Sequence, residues 1–198
     1  MNQLTRSAFI TRAAGAGGAA VVAGAVAGWA VMPAAAAASE QDLAWLRFAV
    51  TAAYVSAAYY RQARRTGFFT GRELRALERA NAAQVAHKNA FRTALTDQGE
   101  ASIEDADLEV EFPDGAFETR PGAVSLGRRV EGLLVHAYLG AVTTIADQAI
   151  RRLFAQVAAS EADQLGFLAG LAGPPIGDPF PSVHGLPTAA EGLAVYLP

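Results

Sequence analysis

The chain contains no cysteine among its 198 residues. This absence excludes disulfide bonds, thiolate metal sites, a cysteine nucleophile and lipid attachment at an N-terminal cysteine. The sequence also lacks a phosphate-binding glycine loop, a dinucleotide fingerprint, a Gly-x-Ser-x-Gly elbow and a His-Glu-x-x-His pair. Positive charge is scarce, because 16 Lys and Arg face 19 Asp and Glu and give a net charge of −3. No strongly basic cluster stands out, so nucleic-acid binding is not indicated.

Apolar residues are abundant, at 52% of the sequence, and alanine dominates them. Alanine is the best helix former, so this composition favours an all-α fold. A chain of this length can bury one substantial core. We therefore expect a single helical domain, and no domain boundary is indicated between residues 40 and 198.

The N-terminus has the pattern of an export signal. Arg6 and Arg12 precede an uncharged run of Gly, Ala and Val, which ends in "PAAAAAS". The pattern predicts a signal peptide over residues 1–38, cut after Ala38, and hence a periplasmic, cell-wall-associated or extracellular protein with no stable membrane span. It resembles the twin-arginine motif, except that Ser7 stands where the second arginine belongs. An uncleaved membrane anchor and a buried N-terminal helix remain as alternatives. Cleavage would remove two arginines and take the net charge from −3 to about −5.

Apolar residues recur at three- and four-residue steps in four long segments and predict four helices. The segments are 40–65, 71–97, 125–145 and 147–171, and 188–196 could add a short helix. Thr70 followed by Glu73 has the spacing of a capping box at the start of the second helix. Between the second and third helices the sequence is acidic and non-helical, and "LEVEF" alternates as a short extended piece would.

Two polar pairs interrupt the apolar stripes of the second and fourth helices. Gln84 and His87 are three residues apart, and so are Glu161 and Gln164. Residues at this spacing share one helix face, so each pair would enter the core together. A Glu-x-x-His pair at both places would be a motif for a di-metal helix bundle. Here the first pair lacks its Glu and the second lacks its His.

Several segments resemble the bacterial exported ferritin-like domain family, the group that includes desiccation-related proteins. The segments are "FAVTAAYVSAAYY" (48–60), "FPDGAFETR" (112–120), "VEGLLVHAYLGA" (130–141) and "GDPFP" (177–181). The resemblance implies a four-helix bundle over residues 39–173, with a long crossover between helices 2 and 3. It also implies that residues 174–198 form a Pro-rich tail that packs on the bundle.

The same resemblance implies a di-iron site that is degenerate in this chain. In the family, helices 1 and 3 each supply a Glu, and helices 2 and 4 each supply Glu-x-x-His. Here Ala53 and Ser56 stand at the helix 1 position, and Gln84 and Gln164 replace a Glu and a His. The ligands that remain are His87, Glu131 and Glu161.

Two interpretations of this site remain open. The three remaining ligands could hold one divalent ion, such as Fe, Mn or Zn. Alternatively, no cofactor binds and the polar residues form a buried hydrogen-bond network, because amides can both donate and accept. The residues of that network would be Gln84, His87, Glu131, Glu161 and Gln164. The missing ligands favour a non-enzymatic structural, protective or interaction role. A subunit of a cell-surface complex, with a homo-oligomer or protein partner, is a further alternative suggested by the aromatic first helix and the long crossover.

The two remaining histidines and the acidic stretch before the third helix give weaker evidence of function. We expect His136 at a helix surface or edge, and His184 exposed in the tail. The acidic stretch 104–111 lacks the spacing of a calcium loop and is typical of a solvated loop.

Overall fold

The computed structural model describes residues 38–173 and 181–198. Within these residues there are five α-helices and one 3-10 turn, Asp105–Asp107, and no strand. The helices are α1 (Glu40–Arg65), α2 (Gly71–Asp97), α3 (Arg120–Thr144), α4 (Gln148–Ala172) and α5 (Leu186–Ala194). The prediction of an all-α four-helix bundle is confirmed. The predicted signal peptide lies outside the described residues, except for Ala38, and stays a prediction.

One carboxylate fixes the start of α1 and also joins it to the turn between α3 and α4. Ser39 caps α1, its hydroxyl accepting from the Asp42 backbone N–H at 3.1 Å while its own N–H donates to the Asp42 carboxylate. The same carboxylate accepts from the backbone N–H groups of Ala146 and Asp147, at 2.9 and 3.3 Å. Asp42 therefore satisfies helix-end donors of two segments that lie far apart in sequence.

Two helix starts differ from the sequence predictions. Thr70 is the N-cap of α2, but its side chain makes no capping hydrogen bond, and the predicted capping box is wrong. Glu73 instead accepts from Arg120 Nη2 at 2.7 Å, because the start of α3 lies beside the start of α2. α3 begins at Arg120 rather than at residue 125, since Thr119 caps it and Pro121 suits a first helical turn.

α1 is buried on nearly every side and supplies the aromatic centre of the core. The Trp45 ring lies 5.6 Å from that of Phe48 and 6.2 Å from that of Phe154, which lies 4.8 Å from Phe91. Truncating a buried aromatic of this kind to alanine costs about 3–5 kcal/mol. The aromatic residues of α1 are therefore mainly core residues and give no support to an interface along this helix.

The crossover between α2 and α3 is held to the bundle by ion pairs. Arg47 on α1 donates to Glu100 at 2.6 Å, and Lys88 on α2 donates to both oxygens of Asp105 at 2.6 and 2.7 Å. Arg92 also donates to Asp105. These contacts fix the long connection between α2 and α3 that the family resemblance implied.

The "LEVEF" segment forms no strand, and the prediction is right only for its local backbone shape. Leu108 has extended dihedral angles of −113° and 123°. The backbone N–H of Glu111 donates to the Tyr196 carbonyl at 3.0 Å. The helical surroundings offer this segment no neighbouring strand with which to form a ladder.

The C-terminal residues pack against α3. α5 lies along it, and the backbone N–H of His184 donates to the His136 carbonyl at 3.0 Å. The two imidazole rings meet edge to face at 4.9 Å. The expectation of an exposed His184 is wrong, because this contact leaves its side chain half-buried. Among the described helices, none combines the length and hydrophobicity that crossing a bilayer requires.

Candidate functional site

The polar residues that interrupt the α2 and α4 stripes meet in the middle of the bundle. Gln84, Glu131 and Glu161 have no exposed surface, and Gln164 is 9% exposed. His87 lies at the edge, with 15% of its side chain exposed. The three-residue spacing brings both members of each pair to the same core position, as the sequence predicted.

Both oxygens of the Glu161 carboxylate are occupied by side chains from α2. Gln84 Nε2 donates to Oε2 at 2.6 Å, and His87 Nδ1 lies 3.0 Å from Oε1. Gln84 Nε2 also donates to Gln164 Oε1 at 3.1 Å. Because a buried carboxylate requires partners, these contacts stabilise Glu161 within the core.

Glu131 joins the same network from α3. Ser56 Oγ on α1 donates to Glu131 Oε1 at 2.6 Å, whereas the other helix 1 candidate, Ala53, has no polar side chain. Glu131 also faces Glu161 closely enough that each changes the pKa of the other. Its Oε2 is buried and has no hydrogen-bond partner of good geometry among the described residues.

Burial shifts the pKa values of the ionisable groups in this network. Burial, and next the charge of Glu161, raise the pKa of Glu131 well above its usual range. Burial raises the pKa of Glu161 to about 7, although hydrogen bonds with Glu131 and Gln84 oppose the rise. Burial also lowers the pKa of His87, although the negative charge of Glu131 acts to raise it. The buried site therefore favours the uncharged forms of Glu131, Glu161 and His87 over their charged forms, relative to the same groups in water.

Two tyrosines belong to the site and were missed by the sequence analysis. Burial, and then the nearby carboxylates, raise the pKa of both Tyr60 and Tyr138 well above the usual value. Both hydroxyls are buried and lack a well-aligned hydrogen-bond partner in residues 38–173 and 181–198, as does Gln84 Oε1. A signal was present, because Tyr60 follows Ser56 by four residues on one helix face.

The donor set does not fit a di-iron centre. Two iron ions need several carboxylates to offset their charge, and this site offers only two, Glu131 and Glu161. Ser56, Gln84 and Gln164 are neutral and form hydrogen bonds at the other positions. Among the described residues, no group of three or more His, Cys, Asp and Glu has the arrangement of a metal site.

The remaining sequence candidates lie elsewhere. His136 contacts His184 on the tail side of α3 and does not belong to the network. In the acidic stretch of the crossover, Asp105 is occupied by Lys88 and Arg92. Burial raises the pKa of Asp105, but the hydrogen bonds from those two cations lower it by more than burial raises it. The pKa of Asp105 therefore lies below its usual value.

Comparison with known proteins agrees with this architecture. A family model described as a ferritin-like domain matches residues 41–174. The match spans all four bundle helices and every residue of the polar network. Comparison with curated proteins gives no significant match.

Proposed function

Because the chain belongs to the ferritin-like domain family, we propose that it is a member in which a hydrogen-bond network replaces the di-iron centre. The observation that carries this proposal is the Glu161 carboxylate, whose two oxygens face Gln84 and His87. The protein then has a non-enzymatic role, as a structural, protective or interaction protein outside the cytoplasm. Its stable polar core serves the fold rather than a redox reaction.

The chemistry of an amide supports a metal-free site. A side-chain amide is neutral and donates two hydrogen bonds, whereas a carboxylate at the same place would repel Glu161 unless a cation lay between them. Gln84 uses one amide nitrogen to bond both Glu161 and Gln164, and so joins two polar residues of α4. The arrangement needs no ion to hold these side chains together.

The proposed export of the protein rests on residues 1–38. The start of α1 is compatible with cleavage after Ala38, because Ser39 already supplies the complete capping box with Asp42. A mature chain that begins at Ser39 would keep the side chain that caps the helix. Mass spectrometry of the protein recovered from its source cells would test this proposal, and an N-terminus other than Ser39 would contradict the predicted cleavage site.

Elemental analysis tests the metal-free proposal. The protein would be produced in medium supplemented with iron, manganese and zinc, purified without chelator and measured for bound metal. We expect well under one ion per chain and no ferroxidase activity. Two irons per chain together with ferroxidase activity would show that the proposal is wrong.

The unpartnered Glu131 Oε2 favours a second candidate, in which His87, Glu131 and Glu161 rearrange from their present hydrogen bonds to hold a single divalent ion. The partly exposed side chain of His87 would give such an ion a route from the surface. This candidate predicts that added Fe, Mn or Zn raises the melting temperature of the wild type but not that of Glu161→Gln. The matched control is Glu104→Gln, which removes an exposed carboxylate from the crossover. An unchanged metal content and metal response in Glu161→Gln would exclude it.

A further inference from the structure

A cavity opens between the C-terminal end of α1 and the crossover, away from the polar network. Its volume is about 350 Å³. Gln62 lines it from α1, and Val110 and residues 112–118 line it from the crossover. The cavity is open to solvent, since every residue that lines it is exposed or half-buried, and its volume is large enough to admit a small molecule.

Two aromatic rings form the apolar wall of this cavity and are held in place from behind. Phe112 and Phe117 meet edge to face with ring centroids 5.5 Å apart. Phe117 also lies 6.0 Å from Tyr59 of α1, and Phe112 lies 5.8 Å from Tyr196 at the C-terminus. The rings are therefore braced by the core and by the C-terminal segment, so the wall is preformed.

The charge of the lining is entirely negative. Asp114 and Glu118 are the charged residues that line the cavity, and neither forms an ion pair with another described residue. Two backbone hydrogen bonds, from Ala116 N–H to the Pro113 carbonyl and from Glu118 N–H to the Gly115 carbonyl, fix the turn that carries both carboxylates. Gly115 makes this path possible with a φ of 73°.

We propose that this cavity binds a small organic cation, a guanidinium or alkylammonium group on a short apolar stem. Carboxylates attract and orient such a head group, and a guanidinium forms paired hydrogen bonds with them. The faces of Phe112 and Phe117 attract a cation and pack against its stem. The amide of Gln62 adds a neutral acceptor at the rim. An anion would be repelled here, and a purely apolar ligand would leave both carboxylates without a partner.

Binding of propylguanidinium to the full-length chain, followed by NMR chemical shifts, tests this proposal. The matched probe is propylurea, which has nearly the same shape and no charge. We expect propylguanidinium to shift the signals of residues 112–118 and to bind at least about tenfold more tightly than propylurea. Asp114→Asn combined with Glu118→Gln should weaken the binding of propylguanidinium by about tenfold or more.

Control variants separate this site from general charge attraction. Glu104→Gln combined with Glu109→Gln removes two exposed carboxylates from the same crossover but outside the cavity, and should leave binding unchanged. Equal binding of both probes, or equal loss in both double variants, would overturn the proposal. A third outcome would also overturn the proposal. Sedimentation would show salt-sensitive self-association of the wild type that Asp114→Asn with Glu118→Gln abolishes, because the cavity would then receive arginines of a second copy.

Discussion

Gln84 Nε2 lies 2.6 Å from Glu161 Oε2, so the amide at a predicted ligand position donates directly to the carboxylate at another. A metal ion bound by both side chains would replace this hydrogen bond, because their donor atoms would then face the ion. Here the Gln84 and Glu161 side chains are in direct contact, and His87 and Gln164 form hydrogen bonds with that pair. His87 Nδ1 lies 3.0 Å from the other oxygen of Glu161, and Gln164 Oε1 accepts from Gln84 Nε2 at 3.1 Å.

Restoring the lost ligands should therefore create metal affinity. We expect Gln84→Glu combined with Gln164→His to bind about one Co²⁺ or Zn²⁺ per chain, because the core then offers three carboxylates and two imidazoles. Co²⁺ absorption and metal content would measure this gain. Gln148→Glu combined with Gln156→His makes the same changes on the exposed face of α4 and should bind no ion. A metal-free double core variant with intact helicity would contradict the assignment of these positions.

The raised carboxyl pKa values predict that the chain loses stability as pH rises. Glu131 and Glu161 are more protonated in the folded state than in the unfolded state, so their contribution is complete at low pH and is lost as pH rises through their folded pKa values. His87 acts in the opposite direction, because its lowered folded pKa gives a contribution that is complete above about pH 6.5. Between about pH 6.5 and about pH 8.5 the carboxyls should dominate.

Thermal unfolding measures this effect. We expect the wild-type melting temperature to fall by about 5 °C or more over that range, and that of Glu131→Gln to fall less. Glu104→Gln, which removes an exposed carboxylate, should keep the wild-type slope. Parallel slopes in the wild type and Glu131→Gln would show that Glu131 is not protonated in the fold.

The close packing of α1 against α3 depends on a glycine. A Cβ at Gly127 would overlap the Tyr59 side chain, whose hydroxyl donates to the Ala123 carbonyl at 3.1 Å. Because that ring is buried and cannot move away, Gly127→Ala should lower the free energy of unfolding by about 2–3 kcal/mol. Gly132→Ala lies on the same helix with open space around it and should raise this energy by up to about 1 kcal/mol. Urea denaturation would measure the free energy of unfolding of both variants. Equal changes in the two would contradict the packing argument.

The crossover should be released when its main ion pair is broken. Lys88 has only 6% of its side chain exposed and depends on Asp105, which is 51% exposed. Asp105→Asn should lower the free energy of unfolding by about 1 kcal/mol, a value reduced by solvent screening of the exposed partner. Hydrogen exchange should increase at residues 100–108. Glu109→Gln is the matched change, because it removes an exposed carboxylate of the same crossover, and a similar exchange increase in that variant would contradict a specific role for Asp105.

Much of the fold was predictable from sequence, because apolar residues recur at three- and four-residue steps along each long helix. The bounds of α1 and α2 match the predictions, and the apolar stripes of α3 and α4 lie in the core. The start of α3 was misplaced because its signal is a single N-cap followed by a proline. The Glu73 capping box was wrong because Arg120, 47 residues away, takes the carboxylate. Such long-range competition leaves no local pattern.

The sequence by itself determined that the family's ligand set is incomplete, since residue identities alone remove two of the carboxylates and one histidine. It also determined that Gln84, His87, Glu161 and Gln164 share core-facing positions, because a three-residue step stays on one helix face. Only the tertiary structure decided which atoms meet. Ser56 rather than Ala53 reaches Glu131, Glu161 bonds Gln84 and His87, and two tyrosines join the site. These contacts depend on the rotation and depth of four helices against one another, which the packing of the whole core sets.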